Sequence, residues 1–120
     1  MKILGMALVL LVALEHWYFL YLEMFLWTKP KGLKIFGNTA DRAEASKVLA
    51  ANQGLYNGFL GAGLLWGLIY PNAAVGAHLQ MFFLACVIVA GIYGGLTVKR
   101  TILYVQGGPA LLGLLALLAA

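Results

Sequence analysis

From Ile3 to Trp27 the chain is apolar except for Glu15, His16 and Glu23. A helix over that run rises about 1.5 Å per residue, enough to cross a hydrocarbon core of roughly 30 Å. Two more long apolar stretches follow, so lipid rather than water is the expected solvent. Composition agrees: 63% of the 120 residues are hydrophobic and 10% are charged, against about half and about a quarter in an average soluble domain. A soluble chain this short has too little interior to hide that much apolar surface. Lys2 and the apolar run behind it imitate a secretion signal. No A-x-A-like site follows, however, and the run continues through Glu15 and His16, so no cleavage is expected.

The breaks between apolar stretches predict an all-α polytopic membrane protein. It would be a single transmembrane domain over residues 1–120, a four-helix bundle with helices at about 3–27, 41–70, 75–98 and 101–120. Lys29, Pro30, Lys31, Gly32 and Lys34 stop the first helix and form a polar connector, with Ile35 and Phe36 as an apolar pair at the interface. Asp41 followed by Glu44 has the spacing of a capping box and predicts the start of the second helix. Pro71-Asn72 is a tight break, and Lys99-Arg100 marks the end of the third span. Gly107-Gly108-Pro109 interrupts the last segment. Either helix four begins near Lys99 and kinks at Pro109, or helix three overshoots and a short helix four begins at Pro109. The preference of proline for the first helical position favours the short helix slightly, although transmembrane helices tolerate kinks.

Charge sets orientation. Lys29, Lys31, Lys34, Arg42, Lys47, Lys99 and Arg100 fall on one side of a four-span arrangement, with only Lys2 on the other. The positive-inside rule then puts both termini on the non-cytoplasmic side of a bacterial cytoplasmic (inner) membrane. Trp27, Trp66, Tyr70 and Tyr104 fall near the expected interfaces. The net charge of +4 is split between connectors rather than gathered in one stripe, which argues against a nucleic-acid partner. Cys86, the one cysteine, stands in an apolar run and reads as a small buried hydrophobe. The pairs Gly54/Gly58, Gly63/Gly67 and Gly91/Gly95 have small-x-x-x-small spacing and predict close helix approach, within the bundle or in a homo-oligomer through Gly91 and Gly95.

The residues that do not belong in hydrocarbon point to a site. An ionised group at mid-bilayer costs roughly 2.5–3.5 kcal/mol on insertion scales. His16 and Glu23 share one face of the first helix, with Glu15 about 100° away. His16 and Glu23 are separated by roughly 10 Å of rise, so they cannot bond each other directly. Partners must come from elsewhere. The second helix offers Asn52, Gln53, Tyr56 and Asn57 on one arc with Gly63 and Gly67, while Leu55, Phe59, Ala62 and Trp66 take the lipid-facing arc. Counted from Trp27 and Lys47, Glu23 lies about 6 Å deep and Asn52 about 8 Å, while Glu15 and His16 lie roughly 17 Å deep and Asn57 about 15 Å. The expected pairing is therefore Glu23 with Asn52 and Gln53, and Glu15 and His16 with Tyr56 and Asn57. His78 reads as an interfacial histidine, and no metal or other cofactor is expected, because no tight ligand motif is present.

The stretches Leu14-Glu15-His16 and Tyr21-Leu22-Glu23-Met24-Phe25-Leu26-Trp27, the block Ala51-Asn52-Gln53-Gly54-Leu55-Tyr56-Asn57-Gly58-Phe59, and Gly108-Pro109-Ala110 before a leucine-rich end together resemble the domain of unknown function 1304 family. The resemblance covers nearly the whole chain and implies a small multi-pass bacterial membrane protein. It brings no established activity.

Three functions remain open. The first is a carrier or binding protein for a small or lipid-soluble ligand, with Glu15 and His16 as a protonatable site. The second is a membrane-embedded isomerase or hydrolase in which Glu15 and His16 move protons while Tyr56 and Asn57 orient the substrate. The third is a structural or accessory subunit whose polar cluster only joins two helices. The catalytic residues of an enzyme are not assignable from the sequence; no G-x-S-x-G, P-loop or dinucleotide fingerprint is present.

Overall fold

The computed structural model describes residues 1–120 and is all helical. Its elements are α1 (Lys2–Phe25), α2 (Pro30–Phe36), α3 (Ala40–Ile69), α4 (Ala73–Thr97), α5 (Arg100–Ile102), a π-helical stretch (Leu103–Gly107) and α6 (Gly108–Ala119). Three helical runs are long and apolar enough to cross a membrane: α1, α4 and the stretch Arg100–Ala119. Helix α3, although 30 residues long, is not among them. The reason is its composition: a charged first turn precedes Asn52, Gln53, Tyr56 and Asn57, which dilute the apolar half that follows.

Local chemistry explains the helix ends. Lys29, which precedes Pro30, is held extended (φ −86°, ψ 160°), because a residue before proline is disfavoured in the helical region. Pro30 then opens α2, a short helix where the sequence suggested only a connector. Gly37 closes α2 in the left-handed conformation (φ 65°), donating its backbone N–H to the Leu33 carbonyl. The cap of α3 is Thr39, whose Oγ1 accepts from the Arg42 backbone N–H at 3.2 Å. The expected Asp41/Glu44 box is not used: Asp41 lies inside the first turn, where its charge still suits the helix dipole, and Glu44 pairs with Lys47 (2.5 Å) on the surface. Asn72 caps α4, accepting from Val75 N–H at 3.1 Å.

The last segment takes the first of the two courses left open. Helix restarts at Arg100 and continues past Pro109. Pro109 has no N–H, and in a regular α-helix its ring would meet the Val105 carbonyl one turn back. The π-helical widening at Leu103–Gly107 absorbs that misfit.

The chain forms two compact units, residues 1–14 with 60–120, and residues 15–59. The core of the first is built from Val9, Val12, Ala13, Leu64, Leu84, Val87 and Ala110, all fully or almost fully buried. Phe83 lies directly against Gly63, and Gln80 donates from Nε2 to the Gly67 carbonyl at 2.9 Å. A Cβ on Gly91 would come within 2.8 Å of the Gly107 nitrogen, and one on Gly95 within 2.7 Å of the Leu103 Cβ. Gly91 and Gly95 thus serve close approach within this unit, one of the two uses their spacing allowed.

In the second unit the carboxyl-terminal half of α1 runs antiparallel to the amino-terminal half of α3. Contacts fall in opposite order along the two helices: Trp17 Nε1 donates to the Gly58 carbonyl (3.2 Å), Glu23 meets Asn57 and Gln53, and Trp27 Nε1 donates to Ser46 Oγ (3.1 Å). Gly54 and Gly58 allow the approach. A Cβ on Gly54 would stand 2.9 Å from Met24 Cγ, and one on Gly58 2.5 Å from Leu20 Cδ1. Helix α2 is pressed onto the end of α1 at Gly32, which lies against the Leu26 carbonyl, and the Phe36 ring lies 4.7 Å from that of Trp27.

Candidate functional site

Glu23 is the centre of the polar cluster. Its side chain is 3% exposed because α1 turns it toward the glycine stripe of α3. Oε2 accepts from Gln53 Nε2 at 2.6 Å, and Oε1 accepts from Asn57 Nδ2 at 2.5 Å. Gln53 and Asn57 are four residues apart, one helical turn, so both amides reach the same carboxyl group. A carboxylate has about four lone-pair sites, so acceptor capacity remains after two amides are bound.

Glu23 also lines a cavity of about 430 Å³ that opens to the exterior, a volume within the usual range for small-molecule sites. Asn52 stands beside it as a second polar group, and Met24, Phe25, Val48 and Leu55 supply apolar wall. Trp27, Thr28 and Lys47 line it as well, at the level where α1 ends and the basic connector begins. The lining therefore combines a buried acceptor with an apolar surface and a polar rim.

The other expected site residues are placed differently. Asn57 bonds Glu23 rather than Glu15 or His16. Tyr56 is 60% exposed and its ring lies beside that of Phe59, on the outward arc with Leu55, Ala62 and Trp66. It sits two residues from the buried Gly54, about 200° around the helix, which turns it away from α1. Glu15 is half-buried, with Oε1 enclosed and without a hydrogen-bond partner. His16 is fully buried, its ring edge-on to Phe19 at 5.2 Å. Neither lines the cavity. The set expected for acid–base chemistry, Glu15 and His16 with Tyr56 and Asn57, is not brought together. His78 is exposed, and no three His, Cys, Asp or Glu side chains are grouped to hold a metal ion.

Several cavity residues gave no signal as a site in the sequence. Met24, Val48 and Thr28 are unremarkable in membrane helices and connectors. Trp27 and Lys47 read as interface anchors, which is compatible with lining a cavity at that level. The Gly54/Gly58 spacing did signal close approach, and α1 is what approaches.

Comparison with known proteins is consistent across nearly the full length. Residues 10–118 match the family described as Protein of unknown function (DUF1304). Over 118 residues, 97% of this chain and 98% of the relative, the sequence is 36% identical to the uncharacterized protein YpaA of Lactococcus lactis subsp. lactis (strain IL1403). No solved structure matches.

Proposed function

The chain belongs to the DUF1304 family, and from that premise we propose that it is a four-span protein of the bacterial cytoplasmic membrane that binds or carries a small amphiphile at the Glu23 cavity. The fourth span in this reading is α3. Its polar residues Gln53 and Asn57 are hydrogen-bonded to Glu23, which lowers the cost of placing both helices in lipid. With α3 counted, the basic connector between α1 and α3 faces the cytoplasm and both termini lie on the opposite side.

One observation carries the ligand reading: the buried carboxyl group of Glu23, with acceptor capacity to spare, faces a cavity whose apolar wall is Met24, Phe25, Val48 and Leu55 and whose other lining includes Trp27, Thr28, Asn52 and Lys47, the last already paired with Glu44. That combination suits an apolar body carrying a hydrogen-bond-donating head, such as an alkylammonium. The test uses 15N-labelled protein in phosphatidylcholine nanodiscs, following the indole N–H resonance of Trp27. Octylamine should shift it saturably, and octanoate, with the same tail and the wrong head, should bind at least about tenfold more weakly, as expected for one charge-assisted bond. Glu23→Gln should lose octylamine affinity by a similar factor. Equal responses to the two amphiphiles, or an unchanged titration in Glu23→Gln, would refute the ligand reading.

A second reading has its own support. Both oxygens of Glu23 are already engaged by α3, as a purely structural clasp requires. It prevails if neither amphiphile binds while loss of Glu23 lowers stability.

A further inference from the structure

Beside the cavity, and independent of it, lies a surface of different chemistry. The connector between α1 and α3 is a fixed platform rather than a loose loop. Gly32 is buried against the Leu26 backbone, Phe36 packs on Trp27, and Trp27 is tied to Ser46 of α3. With Gly32 inward and Phe36 on Trp27, Lys31, Lys34 and Ile35 are left exposed on the outer side of α2, one turn apart, and Lys29 is exposed just before it. The Lys31 ammonium stands 5.5 Å from the centre of the Tyr18 ring, which holds that charge alongside α1, about two turns before its end.

Charge bookkeeping shows how little opposes these groups. Between Thr28 and Lys47 the cations are Lys29, Lys31, Lys34, Arg42 and Lys47, and the only anions are Asp41 and Glu44. Glu44 is occupied by Lys47. Lys29, Lys31 and Lys34 make no ion pair within the protein.

We propose that α2 with Lys29 is a docking surface for the headgroup phosphates of anionic phospholipids, with Lys29, Lys31 and Lys34 as the phosphate-facing cations and Ile35 as the apolar contact beside them. The proposal rests on the membrane placement of α1, not on the ligand reading of the Glu23 cavity. Charge complementarity selects the partner. Lys29 and Lys34 are exposed just past the end of a membrane-length helix, where lipid phosphates are concentrated, and the exposed Lys31 reaches back along that helix beside Tyr18. A juxtamembrane lysine near an anionic surface contributes about 1 kcal/mol, or roughly fivefold in affinity. The attraction is screened within about 10 Å at 0.1 M salt, so it acts on lipids in direct contact.

The test compares lipid retention by the full-length protein in neutral detergent, read by native mass spectrometry with equimolar dioleoyl phosphatidylglycerol and dioleoyl phosphatidylcholine. Phosphatidylglycerol should be retained at least about tenfold over phosphatidylcholine at low salt, a preference between those of one and two such lysine contacts, and the preference should shrink as ammonium acetate is raised. The variant Lys29→Gln/Lys31→Gln/Lys34→Gln should lose it while retaining the wild-type thermal midpoint. Arg42→Gln, which removes a cation from α3 instead, should leave it nearly intact. Equal retention of the two lipids would overturn the proposal, as would a preference that survives the triple substitution or is lost equally in Arg42→Gln. Added inorganic phosphate competing as effectively as the lipid would assign the site to free phosphate and refute a lipid surface.

Discussion

Glu23→Leu lowers the stability of the folded protein by about 1–3 kcal/mol, whereas Glu15→Leu leaves it unchanged or raises it by up to about 1 kcal/mol. The two acids lie on one helix and carry the same chemistry, so only their surroundings separate them. Removing Glu23 strips the acceptor from Gln53 and Asn57 at once. Hydrogen bonds to a charged group contribute about 1.5–3 kcal/mol each in water-soluble proteins, but interhelical bonds in membranes average about 0.6 and reach about 1.7 kcal/mol. The membrane values govern the lower bound, and the half-buried Asn57 left without a partner sets the upper one. Glu15 has no such partners to lose. Its Oε1 is enclosed and unbonded, and replacing an unsatisfied buried polar atom with an apolar group of similar volume removes a penalty. Thermal unfolding of both variants in the same mild detergent checks the contrast. Equal losses would mean that the Glu23 bonds carry no special stability.

Gly32→Leu costs about 3 kcal/mol or more, the upper end of the range for overpacking. The obstacle is backbone, since any Cβ at Gly32 runs into the Leu26 carbonyl. A side chain in the way can rotate aside, but this carbonyl cannot move without distorting the end of α1. The expected result is a lowered thermal midpoint together with loss of the Trp27–Phe36 contact, seen as a changed near-ultraviolet circular dichroism spectrum. Gly108→Ala is the matched control. A Cβ there meets nothing within 4 Å and the backbone is already helical (φ −60°), so its effect should stay within about 1 kcal/mol. A Gly32→Leu protein as stable as Gly108→Ala would show that α2 is not seated on α1.

The parts of the fold legible in the sequence are those set by hydropathy and by proline. Helices α1 and α4 follow from long, largely apolar runs, Lys29-Pro30 marks the boundary at which α2 starts, and Pro71-Asn72 falls between α3 and α4. Helix α2 was hidden, because a seven-residue helix leaves no periodic pattern to read and is held by packing at Gly32 and Trp27. The π-helical stretch before Pro109 was hidden for another reason: proline announces a misfit but not the way a helix absorbs it.

The polar cluster was legible in its members and less so in its register. Counting Cα levels matched Glu23 to Asn52 and Gln53, and Gln53 does bond it. The same count matched Asn57 to Glu15 and His16, yet Asn57 bonds Glu23. The error has a direction. Side chains on a helix lean toward its N-terminus. On α1 that lean carries Glu23 deeper, and on the antiparallel α3 it carries Asn57 back toward the connector. The count also set the two helices out of register: a Cβ on Gly54 would stand 3.0 Å from Glu23 Cβ, so Gly54 is level with Glu23 and Asn57 lies only three residues, about 4.5 Å of rise, beyond it. Tyr56 failed for a simpler reason: it was assigned with its polar neighbours, although its position on the helix groups it with Phe59.

The central claim is the clasp between Glu23 and the two amides of α3. Solid-state NMR in phosphatidylcholine bilayers tests it directly, through 13C–15N dipolar transfer from the glutamate Cδ carbons to the side-chain nitrogens of Asn and Gln. The clasp predicts cross-peaks from Glu23 to both Asn57 Nδ2 and Gln53 Nε2, and none from Glu15 to either. Transfer from Asn57 to Glu15, or no transfer to Glu23 at all, would contradict it.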